Sequence, residues 1–188
     1  MSLGKFIEII NKPLEKIISG VRVYGIAEPV ARTSGSEVEI LPGVISNNGE
    51  IKYVGIDDLE SVIIYHKANA LGVRLSTIKK GFGDDPNAFV NAYSMSMIVY
   101  IDRSKTKLRP EEFFLFIQAN IPFEIKEQPY KSIFTQINTV ILNTQTVYDS
   151  EYKGTKNPLP ANHSLMQINY TIESTFDKNC FEKCPEDC

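Results

Sequence analysis

Apolar residues at the start of the chain recur in steps of three and four. Leu3, Phe6, Ile7, Ile10, Leu14, Ile17 and Ile18 are separated by Lys5, Glu8, Lys12, Glu15 and Lys16. This period predicts an amphipathic helix over 3–19, stopped by Gly20. Pro13 lies inside the pattern, where the missing backbone donor predicts a bend. From Val21 to about Gly55 the period is lost, and short candidate strands take over: "RVYGI", "EVEIL" and "GEIKYV". Turn chemistry at "TSGS" and "SNNG" separates them. Asn48-Gly49 predicts a two-residue hairpin, because both residues adopt positive φ at low cost.

"ESVIIYH" (60–66) reads as a further strand, followed by the loop "KKGFGDDPN". In "NAYSMSMIVYID" the residues Tyr93, Met95, Met97, Val99 and Ile101 alternate with Ser94, Ser96, Ile98 and Tyr100. The segment begins polar on one side and becomes apolar on both, which predicts a central strand. Pro110, Glu111 and Glu112 suit the first turn of a helix, where proline loses nothing and carboxylates meet the positive dipole end. Phe113, Phe116 and Ile117 then mark its buried face, and it stops near "NIP". The stretch "YKSIFTQINTVILNTQTVYDSEY" sets two signals against each other. Its Thr, Ile and Val favour strand, but Tyr130, Ile133, Phe134, Ile137, Val140, Ile141, Thr144 and Val147 follow the helical step. Letting period outweigh propensity predicts a helix over 130–147. The loop "KGTKNPLPANHS" leads to a last strand, "LMQINYTIESTF".

The outline α-β-β-β-β-α-α-β segregates helices from strands. It predicts an α+β fold with a mostly antiparallel sheet, flanked by an N-terminal helix and two later helices. The expected organisation is one α+β domain over 1–176, with long loops at about 25–47, 79–91 and 150–163. An acidic cysteine-containing tail occupies 177–188.

At 188 residues the chain is long enough for one well-filled core and short for two. Its net charge of −3 disfavours a protein built to hold nucleic-acid phosphates, which needs clustered Lys and Arg. The opening segment mixes apolar and charged residues too closely for a signal peptide, and no apolar run approaches the ~20 residues of a membrane span. The expected site of synthesis is therefore a cytoplasm, with no membrane partner. The three cysteines, Cys180, Cys184 and Cys188, crowd the last nine positions, "NCFEKCPEDC". An odd number at one end cannot staple the fold internally, in keeping with a reducing compartment.

Candidate chemistry is sparse, and the expected catalytic, cofactor-binding and metal-ligating sets are all empty. The two histidines, His66 at a strand end and His163 in a loop, have no helical Glu-x-x-His or His-x-x-x-His partner. Each reads as a histidine with a satisfied hydrogen bond. Asp57, Asp58 and Glu60 in "GIDDLE", and Asp84 with Asp85 in "GFGDDPN", are adjacent rather than alternating, so they read as solvated turns rather than a calcium loop. "GFG" lacks the remainder of a dinucleotide fingerprint, and there is no phosphate-binding Gly-rich loop or Gly-x-Ser-x-Gly elbow. Met95 and Met97 read as core filling. With His163 the three thiols would supply four tetrahedral zinc ligands, but Pro185 interrupts their helical spacing and no Cys-x-x-Cys pair occurs. The tail therefore reads as an exposed acidic extension, with zinc binding as the competing reading.

In order and content, "YVGIDDLESVIIYHK", "YSMSMIVYIDRSKTKLRPEEFFLFIQANIP" and "HSLMQINYTIESTF" resemble the tail-terminator and tail-completion proteins of phage necks. The resemblance spans roughly Leu3 to Phe176 and rests on layout rather than on one diagnostic motif. The Ile- and Asn-rich composition fits an AT-rich genome, as in phages of gut Bacteroidales, the crAss-like group among them. The resemblance implies a structural protein of the virion, made in the host cytoplasm. It would be a homo-oligomeric ring, sixfold or twelvefold, joining the portal side of the neck to the tail. The implied partners are further copies and the neighbouring portal, neck and tail proteins. DNA would pass through the channel without specific binding, which agrees with the acidic balance. The long loops would reach neighbouring rings. The alternative is a cytosolic α+β enzyme or small-molecule-binding protein, with a Tyr- and Phe-lined pocket near His66 or His163.

Overall fold

The computed structural model describes residues 3–16, 20–46, 48–55, 60–69, 88–126, 130–155 and 159–177. Helix α1 spans Leu3–Leu14 and buries Phe6, Ile7, Ile10 and Leu14, the face its period marks. Pro13 lies inside the last turn of this helix. It has no N–H to give to Ile9, and Lys16 N–H closes a tight turn on the Pro13 carbonyl at 3.2 Å. Ile17 and Ile18 lie outside the described residues.

The strands are β1 (Val21–Ile26), β2 (Glu28–Ser34), β3 (Glu37–Ile45), β4 (Ile51–Tyr53), β5 (Val62–Ala68), β6 (Ala88–Asp102), β7 (Glu124–Ile125), β8 (Tyr130–Ile141) and β9 (His163–Asp177). Helices α2 (Pro110–Asn120) and α3 (Thr144–Glu151) lie between β6 and β7 and between β8 and β9. Six strands form one sheet in the order β1-β5-β6-β9-β8-β7, and β2-β3-β4 form a second, three-stranded sheet. The architecture is α+β, as the segregated pattern predicts. The larger sheet is mixed, because β1 runs parallel to β5 with Val21 opposite Val62 and Val23 opposite Ile64. The connection between these two strands contains the whole small sheet.

Three expectations are corrected. The segment 25–47 is not a long loop but mostly the antiparallel hairpin β2–β3, in register from Glu28↔Gly43 to Ser34↔Glu37. Its turn needs Gly35, whose φ of 64° is costly for other residues. The next connection is longer than the expected Asn48-Gly49 pair. Ile45 faces Ile51, and Ser46 N–H reaches the Glu50 carbonyl at 2.9 Å across the intervening turn. Most far-reaching, residues 130–141 are strand, and the helix begins only at Thr144. Of the loop expected at 79–91, residues 88–91 belong to β6 and the rest lies outside the described residues; of that at 150–163, α3 takes 150 and 151 and β9 opens at His163.

Packing groups the chain into two compact units. The first comprises 1–67, 96–121 and 139–168, and the second 68–95, 122–138 and 169–188. In the first, Leu41, Val54, Ile63, Tyr65, Ile98, Val147 and Leu165 build a buried cluster from both sheets and α3. Strand β6 is buried continuously from Met95 to Asp102, as a strand flanked on both edges should be, and Met95 and Met97 are inaccessible. In the second unit, β7 pairs with β8 through Glu124↔Phe134, and Asn138 Nδ2 donates to Thr171 Oγ1 at 2.8 Å.

Candidate functional site

His66 closes the buried run of β5 and is itself inaccessible. Asn11 on α1 donates through Nδ2 to the Tyr24 carbonyl at 3.0 Å, which leaves its Oδ1 facing His66 Nε2 at 2.7 Å. Since Oδ1 can only accept, the network assigns the Nε2–H tautomer to His66. Burial lowers its pKa from 6.5 to about 3, so the ring is neutral at ordinary pH. The histidine is a buttress between α1 and β5, in line with the satisfied-hydrogen-bond reading.

His163 opens β9 beside the end of β6. Its Nε2 lies 3.8 Å from Asp102 Oδ2, and its ring packs on Tyr100 with centroids 5.1 Å apart. Asp102 Oδ1 accepts from Ser104 N–H at 2.9 Å and from Ser104 Oγ at 2.5 Å, while Lys105 Nζ stands 2.9 Å from Oδ2. Burial pushes the Asp102 pKa up. The Ser104 and Lys105 hydrogen bonds, with the nearby His163, outweigh it and bring the value to about 2. The aspartate is thus the organiser of the turn after β6, and both its oxygens are occupied. His163 Nδ1 is buried without a hydrogen-bond partner among the described residues.

A third polar group was not foreseen. Glu151, at the end of α3, has its side chain only 2% exposed. Oε1 accepts from Lys67 Nζ at 2.6 Å and Oε2 from the Tyr65 hydroxyl at 3.1 Å. Burial raises the Tyr65 pKa, reinforced by the charge of Glu151, so the phenol remains a donor. Lys67 and Glu151 border a crevice of about 170 Å³ with Pro29, Ile40, Pro42 and Lys153. Sites for drug-sized molecules are typically about 300–1,000 Å³. Both carboxylate oxygens are engaged with protein donors, so the arrangement ties α3 to β5 and presents no free base. Its only signal in the sequence was the apolar run of β5 ending in His66 and Lys67, a lysine set next to a strand end that is otherwise buried.

Asp57, Asp58, Asp84, Asp85 and the three cysteines lie outside the described residues. Among the described residues, no group of three or more His, Cys, Asp or Glu side chains is placed to hold a metal ion, and no helix is long and apolar enough to cross a membrane.

Two outward-facing apolar surfaces, both in the first unit, are the other unforeseen feature. Helix α2 carries the unbroken run Phe113, Phe114, Leu115, Phe116 and Ile117. Only Phe113 and Ile117, one turn apart, are buried, whereas Leu115 is 62% exposed and Phe116 45%. Phe116, expected on the buried face, is therefore on the outer one. In the small sheet the cross-strand pair Ile45 and Ile51 is 51% and 39% exposed. Val44 and Lys52, the next pair in register, face the other side of the hairpin, where with Tyr24, Ser46, Glu50 and Ile51 they line an open groove of about 520 Å³, the Lys52 ammonium 5.3 Å from the centre of the Tyr24 ring. A helix apolar on all sides normally has protein around it. Apolar side chains clustered at two separate places mark surfaces suited to protein contacts.

Compared with known proteins, the chain matches no protein-family model and no curated protein.

Proposed function

We propose that this protein is a structural, ring-forming subunit of a phage neck or tail, a tail-terminator or head–tail connector component. In this reading, copies associate into a sixfold or twelvefold ring between the portal side and the tail, around a channel for DNA. One observation carries it: a single chain exposes two different apolar surfaces, Leu115 and Phe116 on α2 and Ile45 and Ile51 on the small sheet. A closed ring is built head to tail, each copy offering one surface to its neighbour's other surface. A symmetric dimer needs only one such patch. The resemblance of layout to phage neck proteins supplies the biological setting. The net charge of −3 suits a channel wall that DNA slides past.

The test is the mass of the purified chain in solution, followed by electron microscopy of the assembled fraction. The expected result is a concentration-dependent species of six or twelve copies with a central opening. A strict monomer at every concentration would count against the reading.

A further inference from the structure

We infer that the small sheet is an arm that opens from the large sheet as a unit, held closed by a strap at the end of α3. Such an arm is compatible with the ring reading and does not depend on it.

The arm is lightly anchored. Along 28–53, among the described residues, only Leu41, Pro42 and Gly43 are buried. Leu41 packs in the cluster that holds Val54, Tyr65 and Tyr152. By contrast, β5 is buried from Val62 to His66 and β6 from Met95 to Asp102. Burial of apolar surface holds an element to its neighbours, so the arm is the part of this unit that opens at least cost. The chain enters the arm through Ala27, the single residue between β1 and β2, and leaves it through Val54 and Gly55. Ala27 and Val54 belong to one buried cluster, which puts both ends of the arm at the same place, as a hinge requires.

Three consecutive residues form the strap. Glu151 is rooted on β5 through Lys67 and Tyr65, at 2.6 and 3.1 Å. Tyr152 donates its hydroxyl to the Val54 carbonyl at 3.2 Å, and the Lys153 carbonyl accepts from Ile40 N–H at 3.0 Å, in the middle of β3. The first residue grips the large sheet and the next two grip the arm. Beside them the seam is unfilled. The crevice of about 170 Å³ has Pro29, Ile40 and Pro42 on the arm's side and Lys67, Ser150 and Lys153 on the other. Atoms that face such a gap give up few contacts when the arm moves off. Opening breaks the Ile40–Lys153 bond and uncovers Leu41, while the Glu151 contacts and the large sheet stay as they are. A subunit built this way re-aims the exposed Val38, Ile40, Ile45 and Ile51 without repacking its core.

Residue-resolved amide hydrogen exchange on the full-length chain tests this, with Ile40 N–H as the reporter because its bond crosses the seam. In the wild type, corrected for intrinsic rates, Ile40 should exchange at least about 100-fold faster than the amides of 98–101 and 165–168, which wait for global unfolding. Equal protection overturns the arm. Ile168→Val weakens a fully buried position that the closed and opened forms share. It should speed exchange at 98–101 and 165–168 about 5-fold and leave Ile40 unchanged. An equal rise at Ile40 overturns the arm as well. Leu41→Asp sets a charge where only the closed arm would bury it. This variant should lose all protection at Ile40 while 98–101 and 165–168 keep theirs. A variant unfolded throughout means that the arm cannot part from the core, and the idea fails. None of these outcomes touches the ring reading, which the mass measurement decides.

Discussion

At His66 a single buried ring ties the pH dependence of stability to the docking of α1. The unfolded chain binds a proton at this residue below about pH 6.5, while burial holds the folded value at about 3. A histidine with a depressed pKa favours the folded state only while neutral. Stability from this group is therefore full above pH 6.5 and falls by about 1.4 kcal/mol for each pH unit below it, until about pH 3. Urea unfolding at pH 7 and at pH 4.5 should show a larger loss for wild type than for His66→Gln, which keeps an amide facing Asn11. Equal losses would mean that the ring is accessible to protons in the folded state. The Glu151 group gives a second prediction at this scale. Lys67→Met leaves a buried carboxylate without its cation and should cost about 3 kcal/mol. Tyr65→Phe removes one donor from the same carboxylate and should cost about 1–2 kcal/mol. Because both partners share Glu151, the double variant should depart from the sum, and an additive result would argue against a shared network.

Elements were legible where one period dominated and unreadable where two elements shared one. Helix α1 and the central strand β6 followed directly from apolar spacing, and α2 from its Pro-Glu-Glu start. The error at 130–147 came from joining the end of β8 to the start of α3. Thr144 and Val147 do step helically, but they belong to the helix that Asn143 begins, accepting from Thr146 N–H through its Oδ1 at 3.0 Å. Before that cap, β-branched residues at 135, 137, 139, 140 and 141 favour strand, and the sheet supplies the backbone partners that a lone helix would not need. The hairpin β2–β3 was hidden because Pro29, Pro42 and four charged residues interrupt its alternation. Both prolines fall where little is lost: Pro42 gives only its carbonyl, which accepts from Val54 N–H at 2.9 Å. The exposed face of α2 could be read only in part, because five consecutive apolar residues do not say which of them the core takes. Two substitutions test these devices. Asn143→Ala should lower stability by about 1 kcal/mol, read from urea melts. Gly55→Ala should cost more, about 2–3 kcal/mol, because φ is 78° and the added carbon would sit 2.5 Å from the Tyr152 hydroxyl oxygen. That hydroxyl donates to the Val54 carbonyl at 3.2 Å, so the variant disturbs a buried hydrogen bond as well as the backbone. A loss no greater than that of Asn143→Ala would mean that the turn relaxes freely.

For the whole molecule, the balance of apolar and charged groups on the two exposed surfaces decides how assembly responds to solvent. The ring contact proposed above draws on Leu115 and Phe116 of α2 and on Ile45 and Ile51 of the small sheet. A surface ion pair across such a contact is worth up to about 1 kcal/mol and is screened by salt, whereas burying each large apolar side chain is worth about 1.5–3 kcal/mol when complete. Burial here is partial on both sides, but the apolar sum still exceeds the charge term. The proposed ring assembly should consequently weaken only slightly between ~0.1 M and ~0.5 M sodium chloride, the range over which the screening length roughly halves. It should strengthen in sulfate and weaken on cooling, since the hydrophobic driving force fades at low temperature. Light scattering across these conditions is the measurement. A steep loss of assembly with salt would assign the contact to charges, and the two apolar surfaces would then need another partner. DNA binding answers to the opposite physics, because releasing counterions from phosphates makes it steeply salt-dependent. With a net charge of −3 per chain, the ring proposed above should leave duplex DNA unretarded in a gel at physiological salt. Retention of DNA under those conditions would contradict a channel built for passage.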